Sequence, residues 1–130
     1  MANEAIPYTT PTRFGRVTVA DANALTQYTI MALANPNTGA ASSADNDVPA
    51  GILMSSKAAN DGQTEMTVAL DGEWGILSTA AGITIGNQVT IGGANQIKIY
   101  TTLDDEKGYV LGKALETVAA AVVMRVRVNL

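Results

Sequence analysis

The chain has 130 residues, enough for one domain with a real core and too few for two of ordinary size. At 47% hydrophobic and 15% charged it is too apolar to be an intrinsically disordered chain. It contains no cysteine and no histidine, which excludes disulfides, thiolate metal sites, cysteine nucleophiles and every triad built on imidazole. Eight basic residues against twelve acidic ones give a net charge of −4. Scattered cations on an acidic chain do not make a nucleic-acid binder, which needs them clustered against phosphates. The longest apolar run, Val118 to Met124, falls far short of the roughly 20 residues that cross a bilayer as a helix. Met1 to Pro7 has no cationic stretch leading into an apolar one, so no signal peptide is expected. The composition predicts a soluble protein made in the cytoplasm, without nucleic acid or membrane as partner.

Residues 1–13 read as an extended arm. Pro7 and Pro11 bracket Tyr8-Thr9-Thr10 and bias the backbone toward extended geometry. With few apolar residues to bury, the arm is not expected to fold alone. The body, 14–130, begins where a period of two sets in: Val17 and Val19 face one way, Arg16 and Thr18 the other. Residues 28–34 read as a second strand, and 35–49 as a long polar loop of a length that is often functional. Gly51-Ile52-Leu53-Met54 reads as a short buried strand, Asn60-Asp61-Gly62 as a turn and residues 65–71 as a strand. Asp71-Gly72 predicts a tight turn into residues 73–77. Short strands follow at 83–85, 88–91, 96–102 and 109–115, with a charged loop tip at 104–108. Residues 114–122 have helical propensity, but no cap follows and the neighbours alternate, so a bend is expected. The last strand is the clearest: Met124, Val126, Val128 and Leu130 share one face, Val123, Arg125, Arg127 and Asn129 the other. The whole predicts an all-β fold, a small sandwich or barrel of short antiparallel strands preceded by the arm. Gly51-Ile52-Leu53 echoes Gly75-Ile76-Leu77, too short a match to define a repeat.

Three acidic clusters are the only catalytic candidates: Asp45 with Asp47, Asp71 with Glu73, and Asp104-Asp105-Glu106. All fall in predicted turns, where water keeps carboxylates ordinary and aspartate serves the local backbone. Asp45-Asn46-Asp47 opens like a calcium-binding loop, yet Ala50 stands where that loop needs glycine and Ser56 where it needs a bidentate glutamate. No catalytic residue, metal site or cofactor is expected, and the chain reads as a non-enzyme. Trp74, the only tryptophan, and Phe14, the only phenylalanine, suit a core first and an interface anchor second. Phe14 lies where arm meets body, between Arg13 and Arg16, and that grouping favours an interface more than the setting of Trp74 does. Arg125 and Arg127 suit a solvated strand face or a subunit contact.

From about Ile30 onward four elements follow one another in a telling order: Val48-Pro49-Ala50-Gly51-Ile52; Thr67-Val68-Ala69-Leu70-Asp71-Gly72-Glu73-Trp74; residues 81–90, with Gly82, Ile85, Gly86 and Val89; and residues 108–116, ahead of a closing Val126-Arg127-Val128-Asn129-Leu130. Taken together they resemble the tailed-phage capsid decoration (cement) proteins. The first is similar to that family's P-A-G-I-A strand, the second to its V-x-x-x-G-V strand, the third to its A-G-x-x-I-x-x-G-D-x-V turn, with Asn87 where aspartate is commoner, and the fourth to its I-G-x-A-L-E strand. The resemblance implies a non-enzymatic, β-rich protein on the outer surface of the virion, bound to the major capsid protein and stabilising the head against internal DNA pressure. It implies a homo-oligomer, a trimer above other numbers. On that reading Pro7, Tyr8, Pro11, Arg13, Phe14 and Arg16 are candidate capsid-interface residues, and Trp74, Arg125 and Arg127 candidate subunit-interface residues. The other classes weighed are a β-sandwich binding module, carbohydrate-binding or part of a head fibre, and a hydrolase using paired carboxylates. Six dispersed aromatics make a sugar-stacking platform a poor fit.

Overall fold

The computed structural model describes residues 4–34, 37–44, 47–100 and 109–130. Every regular element among them is a strand. In chain order these are β1 (Ile6–Pro7), β2 (Phe14–Thr18), β3 (Ile30–Ala34), β4 (Thr38–Ala41), β5 (Pro49–Leu53) and β6 (Glu65–Ala69), then β7 (Asp71–Ser78), β8 (Gln88–Gly93), β9 (Gln96–Ile99), β10 (Gly112–Ala114) and β11 (Val123–Asn129). The all-β expectation holds.

The strands form two barrels. The first closes in the order β2-β4-β3-β5-β6. In the second sheet β7, β11, β10, β8 and β9 pair in turn, and a β7–β9 pairing joins the ends, with β1 added beside β7. The expectation of antiparallel strands needs one correction: β2–β4 and β7–β9 are parallel. The reason is parity. Five strands in a ring cannot alternate direction all the way round, so each closed barrel must contain a parallel neighbour pair. Closure leaves neither barrel an unpaired end strand, the usual route to unwanted strand pairing.

The second barrel repeats the first pairing for pairing, with β7 to β11 taking the places of β2 to β6. An isolated bridge before the second strand recurs, Leu25 with Lys57 and Ile83 with Val118. Left-handed backbone recurs at Asn37 and Asn95 (φ 51° and 54°) and at Tyr28 and Gly86 (φ 70° and 86°). Sequence identity survives at few matched positions, among them Gly51 with Gly112, Met66 with Met124 and Val68 with Val126. The Gly-Ile-Leu echo seen in the sequence is not this repeat, since Gly51 matches Gly112 rather than Gly75.

Side-chain alternation divides the core. Met31, Leu53 and Val68 fill the first barrel, while their chain neighbours Ile30, Ile52 and Ala69 join Trp74, Ile76, Met124 and Val126 in a larger cluster that runs into the second. Strands buried on both faces read as unbroken apolar runs, which is why Gly51-Ile52-Leu53 shows no period of two.

Several local expectations change. The 35–49 loop contains β4, whose Thr-Gly-Ala-Ala sequence carries no hydrophobic period. Gly39 is required there, because a Cβ would come 2.8 Å from Val17 Cγ2. No tight turn forms at Asp71-Gly72; the chain runs on extended from barrel to barrel through Leu70, with Gly72 at φ 106°. The predicted 83–85 strand is a single bridge, and the 109–115 strand shrinks to β10. Residues 114–122 bend, as read. The charged tip at 104–108 lies outside the described residues.

Candidate interaction surface

The arm lies on its own body. Ala5 is buried in the larger core cluster and its amide donates to the Tyr28 carbonyl (2.9 Å). Ile6 and Pro7 pair antiparallel with Gly75 and Trp74. The Tyr8 amide donates to the Glu73 carbonyl, and the Glu73 amide to Thr9 Oγ1 (2.8 and 2.9 Å). Beyond Pro11 the Asp71 carboxylate takes over: its Oδ1 accepts the amides of Thr12 and Arg13, and its Oδ2 the Thr12 hydroxyl. Those bonds, the Thr12 hydroxyl first, hold the Asp71 carboxyl below its ordinary range, against partial burial that pushes it up. The sparse-hydrophobe argument missed this docking because β1 is held mainly by backbone hydrogen bonds.

Beside the arm, β7 and β11 present an outward ladder. Asp71 sits opposite Asn129, Glu73 opposite Arg127 and Gly75 opposite Arg125. Glu73 bridges both cations, at 3.0 Å to Arg125 and 3.4 Å to Arg127. Gly75 leaves room for the Tyr8 ring, and the Arg125 guanidinium lies 4.5 Å from its centroid. Arg13 donates to Asn129 Oδ1 (2.8 Å) and stands 3.7 Å from Asp71. A groove of about 330 Å³ runs along this strip, lined by Thr9, Arg13, Asp71, Glu73, Arg127 and Asn129. Three guanidinium groups thus lie among the Asp71 and Glu73 carboxylates, and at the far end Glu116 Oε1 accepts the Arg125 amide (3.2 Å), so the strip is a ladder of paired charges.

Phe14 stands at the end of the strip on the outer face of β2, 50% exposed. Arg16 lies two residues on, in a solvated pair with Glu65 at 3.7 Å. Trp74 goes the other way. It is fully buried, donates from Nε1 to the Asp71 carbonyl (3.0 Å) and meets the Tyr28 ring edge-on. Its candidacy as a subunit-interface residue is therefore corrected: the side chain is enclosed by its own chain and plugs the core. The structure brings Tyr8, Arg13, Arg125 and Arg127 together, sets Phe14 and Arg16 beside them, and turns Pro7 and Pro11 into the frame of the arm. Sequence reasoning named Asp71 and Glu73 only as an acidic cluster in a turn and gave Asn129 no role at this surface. The alternation of β11 placed Asn129 with Arg125 and Arg127, but only the register with β7 brings the two carboxylates to them.

Of the remaining acidic clusters, Asp47 accepts the amides of Ser43 and Ala44. Its partners in sequence, Asp45 and Asn46, and Asp104-Asp105-Glu106 lie outside the described residues.

The fold has a solved counterpart. The N base of head fiber gp8.5 in bacteriophage phi29 superposes with a TM-score of 0.53 at 15% identity, covering 90% of this chain and 93% of that one. No family model matches the sequence, and no curated protein does. Coverage of that extent must span both barrels, because the first ends at Ala69. At such low identity the likeness is one of fold.

Proposed function

We propose that the protein is a non-enzymatic structural component of a tailed-phage head, bound to the outer surface of the assembled capsid and stabilising it against internal DNA pressure. The observation that carries this reading is the fold shared, across nearly the whole of both chains, with a protein named as a phage head fiber base. The order of decoration-family motifs from Val48 to Leu130 supports it from the sequence side. The strip of Tyr8, Phe14, Arg13, Arg125 and Arg127 suits a contact with the major capsid protein, since aromatic and arginine side chains supply most interface hot spots. A homo-oligomer binds a symmetric lattice with several such strips at once, so each copy docks at a high effective concentration set by its neighbours. A ligand that binds only the assembled shell shifts its stability by mass action.

The same comparison favours one second reading, that the double barrel is the base of a longer head appendage. A sugar-binding module is disfavoured: Trp74 is buried, and Tyr8, though 45% exposed, already carries the Arg125 guanidinium over its ring.

The test is to mix purified protein with heads that lack it and image the particles. Symmetric added density on the shell is the expected result; protein left unattached among intact heads overturns the reading. Phe14→Ala should then weaken head binding about tenfold or more while leaving the melting temperature unchanged.

A further inference from the structure

The internal repeat gives each position of β2 a counterpart in β7. Met66 matches Met124 and Val68 matches Val126; the first of each lies opposite Val17 and Gly15, the second opposite Ile76 and Trp74. Phe14 is therefore the counterpart of Glu73, and Arg16 that of Gly75. Both rings close only near the end of these strands. β2 meets β4 at Thr18 alone, and β7 meets β9 only at Leu77 and Ser78. The earlier part of each strand is bonded to its own ring on one side only.

In the second barrel the arm fills the other side. Ile6 pairs antiparallel with Gly75, the Glu73 carbonyl accepts the Tyr8 amide (2.8 Å), and the Glu73 amide donates to Thr9 Oγ1 (2.9 Å). In the first barrel the same side is open. The Arg13 carbonyl accepts the Leu70 amide and the Val19 amide donates to the Thr64 carbonyl, so odd-numbered residues along β2 turn their backbone groups to β6. Even-numbered residues turn theirs away from it. Of these, the Thr18 amide reaches the Asn37 carbonyl (3.0 Å), and the Arg16 carbonyl accepts from Asn37 Nδ2 (3.1 Å). The Phe14 amide and carbonyl and the Arg16 amide have no bond on that side among the described residues. Phe14 is half exposed there, and Arg16 makes only its solvated pair with Glu65.

We infer that this open stretch of β2 takes an extended segment of the major capsid protein as an added antiparallel strand, just as its counterpart on β7 takes the arm. The inference rests on the phage-head reading and says how that contact is made. The filled site on β7 shows the form of the occupant: a short extended backbone that offers one acceptor and one donor to each alternate residue of the strand. Unpaired edge groups are a template for such a segment. The arm of a second copy is not that segment, because each arm is committed to its own chain from Ala5 to Arg13. The side chains set the chemistry. An antiparallel strand places one side chain beside Arg16 and, two residues later, one beside Phe14, both on the outer face. An acidic residue at the first place and an apolar one at the second complement them. Across β6 the neighbours are only Thr67 and Ala69, small enough to leave both contacts unobstructed. Backbone bonds then supply affinity, and the acidic-x-apolar spacing supplies specificity.

The experiment measures binding to heads that lack the protein, for the unmodified chain and for Arg16→Ala, Arg16→Pro, Phe14→Ala and Phe14→Pro. Each alanine removes a side chain and keeps the amide; each proline removes the amide too. Neither amide belongs to the ladder with β6, so circular dichroism and melting temperature should be unchanged. Each proline variant should bind with a dissociation constant about tenfold or more above that of its alanine partner. Hydrogen exchange reads the same contact without a substitution, and decides if a proline variant fails to fold. The Phe14 and Arg16 amides should exchange freely in the isolated protein and become protected on heads, while the Glu73 amide is protected in both. Equal weakening by alanine and proline, or Phe14 and Arg16 amides that still exchange freely on decorated heads, overturns the inference and leaves the phage-head reading standing. Protection of the two amides in concentrated protein without heads also overturns it, by giving the edge to a second copy. An unmodified protein that stays unattached to heads overturns the reading, and the inference with it.

Discussion

Lys57 shows how one residue can fix a whole barrel end. Its side chain is 0% exposed, and three carbonyls plus Asp61 occupy every donor it has. A buried ammonium is tolerated only under such complete satisfaction. Lys57→Met keeps the apolar stem but leaves those carbonyls without a donor, so it should destabilise the fold by about 3 kcal/mol, read as a lower urea midpoint at unchanged slope. A shift of only a few tenths would mean that water replaces the ammonium. Asp71 makes a different claim. Its folded-state carboxyl is depressed, so the ionised form is the one the arm binds, and the tether is intact above the ordinary value of 3.8. As pH falls through the lower folded-state value, the carboxylate takes a proton and the contribution is lost. Acidification below about pH 4 should therefore loosen the arm and shift the emission of Trp74, whose backbone pairs with Pro7. Asp71→Asn should flatten that dependence; an identical acid shift in the variant would assign it to another carboxylate.

At the scale of elements, the arm is the informative case. Removing residues 1–13 strips β1 from β7, takes Ala5 out of the core and opens one wall of the space formed by Tyr28, Met54 and Trp74. The body should still fold, because both barrels close without β1. It should lose about 2–4 kcal/mol, with Trp74 emission moved to longer wavelength. Unchanged emission and melting would show that the arm leaves its groove in solution. The strands themselves were legible wherever one face met water. β11 alternates residue by residue and was read correctly, and β2 and β6 nearly so. Legibility failed for physical reasons at β4, where small residues carry no period, and at Ile83, where a bridge of one pair imitates a strand. It failed again at Asp71-Gly72, since an extended Gly at positive φ carries the same sequence signal as a hairpin turn. The candidate surface was half legible. Residue type marked the arginines, Tyr8 and Phe14, but the register that brings Asp71 and Glu73 to them is a property of the closed sheet. The repeat was illegible because a barrel needs only a pattern of burial and a few glycines. Gly112 is one: a Cβ there would fall 2.0 Å from the Arg127 carbonyl.

For the molecule as a whole, the question is whether two closed barrels are two folding units. Topology alone would allow it, as each ring satisfies its own backbone. The core argues otherwise. Ile30, Ile52 and Ala69 turn their side chains away from the first barrel into the cluster that holds Trp74, Ile76 and Met124. The hairpin between β8 and β9 sends Asn95 across, its buried Oδ1 accepting the Ile30 amide (2.8 Å) and its own amide donating to Ser42 Oγ (3.0 Å). At the other end the Leu130 amide donates to Leu70 (2.8 Å). Splitting the barrels would expose that apolar seam and strand those donors, so neither half keeps its stability alone. The protein should melt in one transition, with calorimetric and van't Hoff enthalpies equal. Asn95→Ala, which leaves the Ile30 amide unpaired in the seam, should lower stability by about 1–3 kcal/mol without dividing that transition. Two resolved transitions, or cooperative folding of residues 14–70 expressed alone, would show that the duplicated halves still behave as separate domains.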